Sequence, residues 1–360
     1  MKKNRKFSPS KFLLFLLLLI IITSLILIGI YEYETSAIST NTNPKTIIVD
    51  EGDNYFTLTS KLKEKKLIRS EFFYKLYLKI AKPTNLAKGK YDLNEAMSVP
   101  EIVKVLGNKD NQRDSTIKLT FREGLTVKQI AKIVESKTGI TEETFLSKTK
   151  DTNYLKTLQK DYWFLTDSIY NDQIYYPLEG YLFPDTYHFE ENKLTADNII
   201  RKMLDNTNEK LTPYKVALTS GKYNIHQILT LSSIIELEAA TDSDRTMVAG
   251  VLYNRLNKGW SLGCDITTYY AVQKSLNEKL TKSDLSICNG YNTRCTSMIG
   301  LPVGPINNPS LSSIKAAINP QENNYYYFVA DTNKKVYFTK SANEHAQIIS
   351  KLKKEGIWAA

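Results

Sequence analysis

Nineteen consecutive residues, Phe12 to Ile30, carry no charge, and this run constrains the fold more than any other part of the chain. Wound as a helix it is about 28 Å long, close to the thickness of a bilayer's hydrocarbon core. Residues 12–30 are therefore expected to form a transmembrane helix. Lys2, Lys3, Arg5, Lys6 and Lys11 precede the run. Such a basic flank stays on the cytoplasmic side, which makes residues 1–11 a cytoplasmic tail and puts everything after Tyr31 outside the cell. A cleaved signal peptide is the competing reading, with Thr35-Ser36-Ala37 as its cutting site. The run exceeds the roughly 7–15 apolar residues of such signals, so a retained anchor is favoured.

Setting those five cations aside lowers the net charge from +10 to about +5 for the exported part of the 360 residues. That balance suits an anionic setting such as a cell wall or an acidic membrane surface. Lysines and arginines are interspersed with acids through helical segments, without a basic arm or finger, so nothing points to nucleic acid. Three histidines and three cysteines lie too far apart for a metal-ligand spacing, and no cofactor or metal is expected.

Residues 31–45 are polar, contain Pro44, and read as a linker. Folded sequence starts at Thr46: a strand at Ile47–Val49, a helix carrying Leu58 and Leu62, a second over 70–81, a strand at 88–93, and a helix capped by Ser98. The pattern recurs. Glu51-Gly52, Leu58, Leu62, Ile68 and Phe73 reappear 72 positions on as Glu123-Gly124, Ile130, Val134, Ile140 and Phe145. Ser98, Ile102, Val103 and Leu106 match Thr195, Ile199, Ile200 and Met203 at an offset of 97, which implies an insertion within 149–175. The fold class is thus α+β: a transmembrane helix, a βααβ module over 46–107, a second copy over 112–222, and a mixed α/β domain over 223–360 that closes on a hairpin near Asp331-Thr332-Asn333.

Within the last region, the segment Ile225–Ala240 is almost wholly apolar yet contains Glu236 and Glu238. A carboxyl in poorly solvating surroundings tends to keep its proton, as a general acid must. At 100° per residue Glu236 shares a face with Leu229, Ser232, Ser233 and Ala240, while Glu238 lies on the opposite side. Glu236 is the expected acid, and Glu238 is expected to form an ion pair or face solvent. A structural glutamate paired with arginine is the plain alternative for Glu236.

Four motifs occur in order: Glu179-Gly180-Tyr181-Leu182-Phe183-Pro184-Asp185, Ser233-Ile234-Ile235-Glu236, Tyr253-Asn254-Arg255-Leu256, and Tyr291-Asn292-Thr293 followed by Gly300–Ile306. Together they resemble the YceG-like endolytic murein transglycosylases over nearly everything after residue 45. The resemblance implies a LysM-like module ahead of the catalytic domain and a catalytic glutamate at Glu236. It also implies substrate contacts at Asp265, Tyr291, Asn292 and Thr293. Gly263, Cys264 and Ile266 replace the residues usual for the family around Asp265, and Arg294 stands where an aromatic is common. Tyr181, Phe183 and Tyr187 alternate as on a strand, either packing in the core or offering a platform to glycan.

The implied reaction cleaves the β-1,4 bond between muramoyl and glucosaminyl sugars inside peptidoglycan strands, leaving 1,6-anhydro ends and terminating nascent strands. A cell-wall synthase is the candidate protein partner. Two other readings stay open: a non-catalytic peptidoglycan-binding scaffold, and a two-carboxylate muramidase in which Asp265 assists. Cys288 and Cys295 bracket the loop carrying Tyr291, with Cys264 a rival partner for a disulfide.

Overall fold

The computed structural model describes residues 9–113, 116–295 and 297–358, and divides into two compact units, residues 1–115 and 116–360. Lys2, Lys3, Arg5 and Lys6, on which the orientation argument depends, lie outside the described residues.

In the first unit, α1 (Pro9–Thr35) contains the apolar run and continues five residues past Ile30. It is the one helix among the described residues long and apolar enough to cross a membrane. Then follow β1 (Lys45–Val49), α2 (Leu58–Glu64), α3 (Glu71–Ala81), β2 (Gly89–Leu93), α4 (Val99–Leu106) and β3 (Gln112–Arg113). β2 is the centre of an antiparallel sheet, pairing Lys45 with Leu93 on one side and Lys90 with Arg113 on the other. Ser98 and Glu101 form the capping box that starts α4. Ile47, Leu58, Leu62, Tyr74, Leu78, Tyr91 and Ile102 close the core beneath the sheet.

Residues 31–45 are not the free tether that their polarity led us to expect. Arg69 donates to the carbonyls of Ala37 and Ile38 at 2.7 and 3.1 Å, and the Ile38 and Ser39 amides donate to the Glu95 carbonyl. Lys45 and Ser39 both bind the Glu95 carboxylate, at 2.6 and 2.7 Å. Composition registers polarity but not partners, and here the partners lie more than 30 residues away.

In the second unit the order recurs. β4 (Thr116–Thr120), α5 (Val127–Thr138) and α6 (Glu142–Lys150) are followed by the extra helix α7 (Thr152–Asp161), and then by β5 (Thr186–Glu190) and α8 (Ala196–Leu211). β4 and β5 pair antiparallel, Thr116 with Glu190. The rest comprises α9 (Lys215–Ser220), α10 (Ile225–Glu238), α11 (Asp242–Asn257), α12 (Asp265–Ala271), α13 (Lys282–Ser286), α14 (Leu311–Ile318), the hairpin β6 (Tyr327–Ala330) with β7 (Val336–Thr339), and α15 (Ala342–Lys354). The expected boundary at residue 222 is absent, because one apolar core runs from Leu119 through Leu229 to Ala317. Tyr181 is fully buried in it, before β5 starts, and donates to or accepts from His226 Nδ1 at 2.7 Å. Of the two readings for that aromatic, the core reading is the one its burial fits.

Candidate active site

α10 is apolar all round because it is buried all round, and it packs against α11, α12 and α14. Asn224 and Gln227 form its N-terminal capping box. Its last turn carries both glutamates, and tertiary neighbours give them opposite surroundings.

Glu236 points at the start of α14. The Ser310 amide and hydroxyl donate to its Oε2 at 2.8 and 2.5 Å, and the Ser313 hydroxyl donates at 2.7 Å. Arg245 of α11 stands 3.6 Å from Oε1, and only 7% of the glutamate side chain is exposed. Ser310 is also the N-cap of α14. The carboxylate thus ties three helices together at a helix N-terminus, where negative charge is favoured. This corrects the expectation of apolar surroundings: the small residues are there, but as hydroxyl donors from elsewhere in the chain.

Glu238 has the surroundings expected of its neighbour. Burial, reinforced by the Asp265 charge, pushes its carboxyl up to about 7; a hydrogen bond from the Cys264 thiol and the charges of Arg294 and Arg255 oppose the shift. The residue remains partly exposed, at the last position of α10. It neither faces open solvent nor forms a direct ion pair among the described contacts, as had been expected.

The wall beside Glu238 comes from residues 255–265 and 294. Asp265, first residue of α12, is half exposed and accepts from Arg294 Nε at 2.6 Å. Arg255 donates to the carbonyls of Tyr326 (2.6 Å) and Leu262 and lies over the Tyr327 ring. Asn254 donates to the carbonyls of Asn323 and Tyr325, so this pair orients loops. Gly263 has φ +60°, a conformation that strains any other residue, and a β-carbon there would approach Arg255 Nη1 to 3.2 Å. Trp260, 39% exposed, packs on Tyr326 and Tyr327. Burial and the adjacent Glu238 push the Cys264 thiol well up.

Tyr291, Asn292 and Thr293 are the sugar contacts that the resemblance implies, with a loop-stabilising role as the alternative for the asparagine. All three are buried. Tyr291 packs between Tyr175 and Tyr270, each 4.8 Å away. Asn292 accepts from the Thr268 hydroxyl at 2.7 Å and donates to the Ile287 carbonyl at 2.6 Å. The Thr293 hydroxyl accepts from the Cys264 amide at 2.9 Å. Their polar atoms are spent on holding the loop that presents Arg294 to Asp265. Cys288 and Cys295 are joined across this loop, while Cys264 is free and buried.

The Glu179-Gly180 motif works from below. Glu179 is buried, accepts from the Val127 amide, Asn308 Nδ2 and the Tyr270 hydroxyl, and is pushed up to about 8 by that burial. Asn308 Oδ1 accepts from the Gly180 and Leu182 amides. Gly180 has φ +85°, and a β-carbon there would meet Pro305 at 2.5 Å.

Residues 47–351 match the model of the YceG-like family. The chain belongs to that family. It is 33% identical over 326 residues to the endolytic murein transglycosylase of Bacillus subtilis, a match covering 89% of each protein. Against the protein of the same name from Streptococcus pneumoniae D39 it is 33% identical over 316 residues, 83% of this chain and 57% of that one. The crystal structure of a YceG-like protein from Listeria monocytogenes, 35% identical, superposes with a TM-score of 0.61 over 86% of this chain and all of that one. The relatives' shared name is that of a lyase acting on murein.

Proposed function

We propose that this family member is a membrane-anchored endolytic murein transglycosylase and that Glu238 is its general acid and base. The observation that carries the assignment is the Glu238 carboxyl at the end of α10, pushed up to about 7 by burial and by the charge of the half-exposed Asp265. A carboxyl titrating near 7 is partly protonated at working pH and can both give and take a proton. It protonates the glycosidic oxygen as the bond to the muramoyl anomeric carbon breaks and that carbon gains oxocarbenium character. The resulting carboxylate then takes the proton of the same sugar's C6 hydroxyl, whose oxygen closes on the anomeric carbon. No water enters, and one 1,6-anhydro end and one free glucosaminyl 4-hydroxyl end result. Asp265 keeps Glu238 protonated through its charge and faces the developing cation. Glu236 positions α14 and α11 around α10.

A two-carboxylate hydrolase is the second reading, favoured by the closeness of Asp265 to Glu238. Mass analysis of products from a defined glycan separates the two, since anhydro ends are lighter by one water than hydrolysed ends. Glu238→Gln should abolish cleavage, and Glu236→Gln should leave it measurable in the folded protein. The opposite result would move the acid back to Glu236.

In this reading α1 spans the membrane, the basic tail is cytoplasmic and the second unit works in the wall space, where strand cutting terminates nascent glycan. Residues 46–107 serve as a LysM-like module that positions the enzyme, and a synthase extending the same strand is the fitting partner.

A further inference from the structure

The first turns of α3 meet the last turn of α1. The Tyr31 ring lies edge-on to Phe73 with centroids 6.4 Å apart, and the Arg69 guanidinium lies 4.7 Å over the Tyr33 ring. Arg69 also holds the chain that leaves α1 through two carbonyls. The apolar run ends at Ile30, so Tyr31 and Tyr33 occupy the level at which aromatic rings sit among lipid headgroups. α3 is fixed at that level by these contacts.

The outward face of α3 is not that of a water-exposed helix. Phe72, Leu76 and Ile80 recur every four residues and form one stripe. Phe72 is 69% exposed and Ile80 66%, whereas Tyr74 and Leu78 on the opposite side lie in the core. Lys75 and Lys79 are exposed along the border of the stripe. On its other border Phe73, which touches Phe72 at 5.2 Å, connects it to Tyr31. The uncovered face is therefore continuous with the anchor, and its apolar centre with a lysine flank is the pattern of a helix lying in a lipid interface.

We propose that this face of α3 rests on the outer leaflet of the membrane that α1 crosses. Phe72, Leu76 and Ile80 dip among the headgroups, and Lys75 and Lys79 reach anionic lipid phosphates while their methylene stems cover the stripe's edge. The module is then held flat against the bilayer instead of swinging on a tether. The proposal rests on the anchor reading of α1.

The test uses the full chain in vesicles of phosphatidylcholine and phosphatidylglycerol, with a nitroxide on Phe72→Cys or on Ile20→Cys. Cys264 is buried and the other two cysteines are paired, so the new thiol takes the label. Collision with oxygen and with an aqueous nickel chelate gives depth, calibrated by lipids labelled in the headgroup and along the chain. The expected result is residue 20 deep in the bilayer and residue 72 at headgroup depth, moving toward water when Lys75→Glu and Lys79→Glu are added. Lipid at 20 with full nickel access at 72 overturns this inference alone. Water at both positions overturns the anchor reading and this inference with it.

Discussion

Two carboxyls two positions apart on α10 show how little a residue's chemistry owes to its sequence neighbours. Glu236 accepts from three serine groups and faces Arg245, so Glu236→Gln exchanges charge-assisted bonds for weaker ones and sets an amide against donors. It should cost about 1–3 kcal/mol, read in denaturant melts, with cleavage per folded molecule largely kept. Glu238→Gln should lower kcat by about 10²-fold or more, as loss of a general acid does, with the melt unchanged. Because that carboxyl titrates near 7 and works protonated, cleavage should decline as pH rises through about 7, and a flat profile to pH 9 would refute the assignment. Glu179, pushed up to about 8, follows the same sign for stability. Its folded form holds the proton more tightly than the unfolded chain, so its contribution is complete below the ordinary carboxylate range and is lost as pH rises toward 8. Glu179→Gln, able to donate to the Tyr270 hydroxyl, should flatten the fall in melting temperature across that window. The helix-face geometry that separates the two α10 glutamates was legible in sequence. Which face meets Ser310 and which meets Cys264 was not, since those residues lie 74 and 26 positions from the glutamates they meet.

At the scale of elements, caps were readable and short helices were not. Ser98 with Glu101, and Glu51-Gly52 with its echo Glu123-Gly124, announce their turns locally. α12 and α13, seven and five residues long, carry too few turns for an apolar period to emerge and read as loop. The loop that follows them is built from buried Tyr291, Asn292 and Thr293 and carries Arg294 to its ion pair with Asp265. The Cys288–Cys295 bond closes that loop over a separation of seven residues. Replacing both cysteines by serine should destabilise the second unit by about 2.5 kcal/mol through restored loop entropy. Activity should fall further than stability, because Arg294 is then less firmly placed against Asp265. An unchanged melt together with unchanged cleavage would show that the hydrogen bonds of Asn292 suffice.

The whole molecule is two cores on one chain, and this division decides what can be removed. The apolar run and the order of motifs were legible because each is local. The boundary expected at residue 222 failed because β4, α5 and α8 spend their apolar faces on the same core as α10 and α14, which no local composition change records. Every residue of the proposed site lies between Val127 and Tyr327, within the second unit, while the first unit keeps its own core of Ile47, Leu62, Tyr74 and Tyr91. A chain beginning at residue 116 should therefore fold, melt where the second unit of the full protein melts, and cut soluble glycan at a comparable kcat. It should lose only what depends on the anchor and on the first module, chiefly action on wall glycan near the membrane. Calorimetry of the full chain should resolve two transitions, one of them matching the truncated protein. A folded truncation that cannot cut any glycan would show that the first unit helps form the groove, and would withdraw the assignment of residues 46–107 to positioning alone.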